Sequence, residues 1–175
     1  MDDILLTQPE EKHAEAVMEY REEFIVNGEL PIHGAPLLEE FADYSDWLRL
    51  ARNDFSVSPL AEGWVDATTL LAIRKANGQL LGIINIRHEL NDFLRTYGGT
   101  IGFSVRPEER RRGYATKMLT CALGYCRDLG LREVLLSCHT DNEASRKTIL
   151  ACGGELDHEG IFTDGLPMQM YRISM

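Results

Sequence analysis

Val105-Arg-Pro-Glu-Glu-Arg-Arg-Arg-Gly-Tyr-Ala115 joins two unlike segments through the densest basic cluster of the chain. Before it, Thr100 to Val105 is a β-rich run preceded by Gly98-Gly99 and ended by Pro107. After it, an amphipathic helix is expected from about Arg112 to Leu129, with Ala115, Met118, Leu119, Ala122, Cys126 and Leu129 on one face and Gly130 as its stop. A strand running into Arg110, Arg111, Arg112 and Gly113, and at once into a helix start, offers unpaired backbone N–H groups and the positive end of a dipole. The glycine lets the backbone approach a ligand closely. This is an anion site suited to a phosphate group. Arginines at a helix start oppose the macrodipole by roughly 0.3–1 kcal/mol each, so a purely structural role would place the wrong sign there.

Downstream, Glu133 to Cys138 reads as a buried strand, and Thr140 and Glu143 have capping-box spacing for a helix that ends at Gly153-Gly154. Ile161-Phe162 and Met168 to Ile173 are closing strands around the turn Asp164-Gly165. Upstream, Thr68 to Arg74 and Leu80 to Arg87 form a hairpin across Ala76-Asn77-Gly78-Gln79. Ile4 to Thr7 fits a first strand and Glu10 to Val26 a helix ended by Asn27-Gly28. Leu37, Leu38, Phe41, Tyr44, Trp47, Leu48 and Leu50 suggest one or two short helices whose aromatic residues belong to the core. The order of elements predicts an α/β (α+β) fold, a mixed sheet with helices on both faces.

The chain has 175 residues, 44% of them hydrophobic and 26% charged, which suits one ordinary globular domain. Its net charge of -10 argues against a partner recognised through a positive field, nucleic acid or an anionic membrane. The acidity is local: residues 1–66 carry 16 acidic and 4 basic side chains, residues 67–175 carry 12 and 14. Cys121, Cys126, Cys138 and Cys152 include no C-x-x-C pair and read as reduced thiols, and no zinc-ligand spacing occurs, so no metal is expected. The N-terminus has no basic or apolar leader, which reads as a cytoplasmic protein.

The basic loop resembles the acyl-CoA pyrophosphate signature of the GNAT superfamily of N-acyltransferases, Q/R-x-x-G-x-G/A, filled here by Arg110, Gly113 and Ala115. Asp141 to Gly154 is similar to the second motif of that family, an N-x-x-[SA] helix closed by glycine. Arg87-His88-Glu89-Leu90-Asn91 and Ile101 to Pro107 further resemble a bacterial subgroup of predicted acetyltransferases. The resemblance implies a mostly antiparallel central sheet of about six to seven strands. It also implies residues 67–175 as the acyl-CoA-binding core, residues 1–66 as acceptor-side helices, and acetyl-CoA as co-substrate. Phe103, Ser104 and Val105 would offer backbone groups to the acetyl carbonyl and the pantetheine arm. Arg110, Arg111, Arg112, Gly113, Tyr114 and Ala115 would hold the pyrophosphate, Asn142 the pantetheine amide, and Ser145 the channel wall. Dimers are common in the family, so a homodimer is among its implications.

The implied reaction acetylates a primary amine by direct attack on the thioester. An ordinary amine has a pKa near ~10.4 and must lose a proton before it attacks. The usual family residues are missing: Ser137 stands where some relatives carry a glutamate base, and Ile149 where many carry a tyrosine acid. Substitutes are sought at His88, Glu89 and Asp92, with His139 and Asp141 at another strand end. The competing reading is a catalytically silent acyl-CoA sensor. The acidic first third suggests that the acceptor is cationic.

Overall fold

The computed structural model describes residues 3–175. Its elements are β1 (Ile4–Thr7), α1 (Ala14–Val26), α2 (Tyr44–Ala51), β2 (Ala67–Arg74), β3 (Leu80–Arg87), β4 (Ile101–Val105), α3 (Tyr114–Asp128), β5 (Glu133–His139), α4 (Glu143–Ala151), β6 (Glu155–Ile161) and β7 (Pro167–Ser174). The seven strands divide into a four-stranded sheet, β1-β2-β3-β4, and a three-stranded sheet, β5-β7-β6. Every paired neighbour is antiparallel.

β2 and β3 read as near-continuous apolar runs because both of their faces are covered. Leu71, Leu80 and Ile83 pack with Tyr20 and Phe24 of α1 and Trp47 of α2. Their neighbours Leu70, Ala72, Leu81, Ile84 and Ile86 pack against Met118, Leu119 and Ala122 of α3 and Ile149 of α4. The aromatic group Phe41, Tyr44 and Trp47 is core, as expected, with Trp47 fully buried.

Several local expectations are corrected. α3 begins at Tyr114 rather than Arg112, and Leu129 is exposed while Tyr114 and Leu123 join the buried face. The Thr140–Glu143 capping box does not form; Asn142 is the N-cap, its Oδ1 accepting from Ser145 N at 3.0 Å. β6 is seven residues long, where only its end had a strand signal, because all of its residues are exposed and no alternation marks it. The β2–β3 loop closes over Lys75 to Gln79 with Gly78 at φ 74. All four cysteines are free thiols. Among the described residues no helix is long and apolar enough to cross a membrane.

Candidate functional site

The two sheets open from each other between β4 and β5. They are joined where Thr100 N donates to Leu135 O at 2.6 Å and Leu135 N donates to Thr100 Oγ1 at 3.0 Å. No ladder continues between them along β4. Arg87 N donates to Thr100 O and Arg106 N to Leu81 O, so the even-numbered residues of this stretch turn their backbones to β3. Ile101, Phe103 and Val105 therefore aim theirs at the open side. Arg110 Nε claims Val105 O at 3.0 Å. The N–H and C=O of Phe103 and the N–H of Val105 face a gap of the kind an extended ligand can fill as an added strand. Ser104, grouped with them on sequence, differs: its backbone faces β3 and its Oγ accepts from the buried Tyr20 hydroxyl at 2.9 Å.

Past β4, a short 3₁₀ turn at Pro107–Glu109 leads into the loop. Arg111 (φ 59) and Gly113 (φ 79) are both left-handed, and Gly113 caps α3 without any side-chain cap. A non-glycine residue held there costs on the order of 1 kcal/mol, and such strain clusters at ligand sites. The first-turn N–H groups of α3 point out of this loop as an anion cradle. Buried Glu109 fastens the loop from beneath, its Oε2 lying 2.6 Å from Arg74 Nη2 and 3.1 Å from Arg112 Nη1. Arg74 also donates to Tyr114 OH at 3.1 Å. Arg110 is a brace: it pairs with Glu29 at 2.6 Å and lies over the Phe24 ring. Arg111 makes no ion pair among the described residues and stands exposed. Removing the fastening should loosen loop and fold together. Glu109→Ala is expected to lower the urea midpoint by about 1 M and to weaken acetyl-CoA binding in the same protein, read by fluorescence unfolding and calorimetry. A lowered midpoint with unchanged binding would separate the two roles.

At the opening lies a cavity of about 460 Å³. Its walls come from the loop 31–37, the segment 91–98 and the ends of β3, β4 and β5, and they include Phe103, Asn142 and Ser145 together. Tyr114, Ala115 and the arginine loop lie outside it. His88 and Glu89, sought as catalytic groups, do not reach this cavity. His88 Nε2 lies 2.8 Å from Thr68 Oγ1 and His88 lines an adjoining cavity of about 360 Å³ across Ala51, Asn53, Ala67 and Thr69, while Glu89 is exposed and lines neither. Asp92 and Asp141 are exposed and line neither. Ser137 donates to Tyr97 O at 2.5 Å, holding the segment 94–98 down on β5. Ile149 is fully buried against Gly154, a core residue rather than a wall of the cavity.

Two groups that the sequence reading missed line the cavity, His33 and Arg87. His33 is exposed in its loop, yet the walls crowding one side of its ring lower its pKa below the ordinary value, with His139 and Arg87 adding to the effect. Enclosure also brings Arg87 down to about 10. His139 Nε2 lies 3.2 Å from Asp164 Oδ2. Burial raises the pKa of the Cys138 thiol, which makes it a poor nucleophile. Among the described residues Glu39 is the one carboxylate on the cavity wall, its pKa raised by burial. The acidic surface of residues 1–66 therefore does not line this cavity, and the expectation of a cationic acceptor finds no support in its walls. Among the described residues no three His, Cys, Asp or Glu side chains gather as a metal ion would need.

A family model described as Acetyltransferase (GNAT) domain matches residues 3–155. No match was found among curated protein sequences. The fold is similar to that of the microcin C7 self-immunity acetyltransferase MccE in complex with acetyl-CoA and AMP, with TM-score 0.70 and 18% identity over 100% of this chain and 94% of that one. It is similar to RimL, a ribosomal alpha-N-protein acetyltransferase in complex with coenzyme A, with TM-score 0.70 and 13% identity over 98% and 94%. A GNAT-family acetyltransferase from Bacillus anthracis gives 0.67 and 18% over 99% and 96%.

Proposed function

Because the chain belongs to the GNAT acetyltransferase family, we propose that it moves the acetyl group of acetyl-CoA onto a primary amine held in the 460 Å³ cavity. The observation that carries this reading is the continuity of the open β4 edge with the capless α3 N-terminus. The edge suits the amide-bearing pantetheine arm, and the glycine cradle suits the pyrophosphate beyond it. Asn142 spends Oδ1 on its helix and keeps its amide nitrogen as a donor for that arm. Residues 67–175 would hold acetyl-CoA, and residues 31–65 would wall the acceptor.

Bound acetyl-CoA supplies an activated thioester carbonyl. Ile101 and Phe103 of the open edge both line the cavity, and Phe103 lies farther from the Thr100–Leu135 junction, where the gap is open, so we assign its N–H to the negative charge that develops on that carbonyl oxygen. Val105 N–H, nearer the loop, would take the arm. The acceptor ammonium must first give up a proton. His33 is the base we assign, because its lowered pKa keeps it neutral at pH 7 and its ring is open to the cavity. The amine nitrogen then bonds the acetyl carbon, the carbon–sulfur bond breaks, and the thiolate of coenzyme A leaves and is protonated from solvent.

Release of free thiol from acetyl-CoA across a panel of amines, with calorimetric titration of acetyl-CoA, tests the reading; binding without turnover on every amine would overturn it. The base assignment carries its own sign. A neutral imidazole is needed, so kcat should fall as pH drops through a pKa below the ordinary 6.5 and be level above it. His33→Gln should remove that acid limb and lower kcat by about 100-fold or more. An unchanged limb in His33→Gln would place the base elsewhere.

A further inference from the structure

We propose that the acceptor is a free amino acid with an apolar body, its carboxylate held by the guanidinium of Arg87 while its amino group is acetylated. This deepens the transfer reading above and rests on it. Arg87 ends β3, and its guanidinium packs beneath Gly102, where a Cβ would lie 3.5 and 3.6 Å from its two terminal nitrogens. Nη1 donates to Gly98 O at 3.2 Å and Gly99 O at 3.3 Å, which fixes the plane of the fork. Nε and Nη2 make no hydrogen bond among the described residues, and no carboxylate lies within ion-pair distance of Arg87.

The other arginines that meet no acidic side chain among the described residues, Arg95, Arg111, Arg127 and Arg132, are exposed. Arg49, Arg52, Arg74, Arg110 and Arg172 each meet an acidic side chain. In a chain of net charge -10 acidic partners are plentiful, yet the enclosed arginine of the cavity has none. Glu39, the wall's carboxylate, accepts from Ile32 N instead. An enclosed cation without a counter-charge is costly, and a ligand carboxylate supplies the missing charge while matching the planar fork in a bidentate pair. The same walls carry Trp64, Phe93, Tyr97 and Phe162, which suit an apolar body and leave little for a polyamine. A cavity of about 460 Å³ is of the size that small-molecule sites take. His33 directly precedes Gly34, and the Gly34 backbone N and the Arg87 guanidinium both flank the Cβ position of Gly102, at 3.3 Å and at 3.5 and 3.6 Å, so a base and a carboxylate anchor lie beside one another on the cavity, as the two ends of an amino acid require.

The test has two arms. First, N-acetylphenylalanine, N-acetylleucine and their methyl esters are titrated into the wild-type protein by calorimetry. The acids should bind about 10-fold or more tighter than the esters, the difference should vanish in Arg87→Met, and Arg87→Lys should keep part of it. Second, kcat/KM is compared for phenylalanine and phenethylamine, which lacks the carboxylate. A ratio of about 10 or more in the wild type should fall toward one in Arg87→Met. Equal binding of acids and esters, or a ratio unchanged while both substrates suffer alike, would overturn the proposal and leave Arg87 as a brace for Gly98 and Gly99. Should Arg87→Met not fold, the wild-type and Arg87→Lys comparisons decide it. Absence of thiol release with every amine tried, while acids still outbind esters, would remove the transfer reading and with it the amino-acid substrate, leaving Arg87 as a carboxylate site.

Discussion

Acetyl-CoA titrated into the Gly113→Glu protein should give no saturable heat at concentrations that saturate the wild type. At φ 79 a side chain is strained by roughly 1–2 kcal/mol. The carboxylate would also stand where the first-turn N–H groups of α3 meet a pyrophosphate, setting like charge against like. Every 1.4 kcal/mol is tenfold in affinity, so strain and repulsion together should weaken binding by about 100-fold or more. Gly113→Ala keeps the strain without the charge and should lose less. A folded Gly113→Glu protein with near-wild-type affinity would move the phosphate site away from this loop.

Gly34→Ala should be among the most damaging small changes to stability. Gly34 has φ 80, and a Cβ there would lie 2.6 Å from Ile83 O and 2.7 Å from both Gly102 O and the Phe103 Cα. All three are backbone atoms of the sheet and cannot step aside as a side chain can. Left-handed strain and overpacking together give about 2–4 kcal/mol, a fall in the urea midpoint of about 1–2 M. His33 is the preceding residue, so surviving folded protein should also show a lowered kcat. A midpoint near that of the wild type would mean that the loop rides higher over β3 and β4 than a 2.6 Å approach to Ile83 O allows.

The elements from residue 67 to 154 were legible because glycines and changes of periodicity bound each one. Residues 29–66 were not, since apart from α2 their backbone turns in short 3₁₀ segments that leave no period to read. At the site, Gly113, Phe103, Asn142 and Ser145 could be found from motif spacing. The misplaced residues share one cause. On a strand, neighbours face opposite ways, so Arg87 joins Asn85 on the cavity while His88 turns to the other side. Applying that alternation to the run Asn85 to His88 would have chosen the arginine, and applying it to β4 would have separated Ser104 from Phe103 and Val105. His33 carried no such signal, because it sits in a loop that only tertiary contact presses onto the sheet.

The opened seam between β4 and β5 has a meaning for the protein's safety among its own kind. An unpaired strand edge ordinarily invites another chain to pair with it, and proteins blunt such edges with charge, proline or cover. Here the edge is recessed: the two sheets meet at Thr100 and Leu135, and the loop 31–37 presses on β3 and β4 beside it. A neighbouring polypeptide strand arrives with its own sheet and side chains and is too broad to enter. A thin, flexible amide-bearing arm is not. The geometry that leaves hydrogen-bonding groups unpaired therefore screens by width, denying to aggregation the edge it keeps open for a ligand.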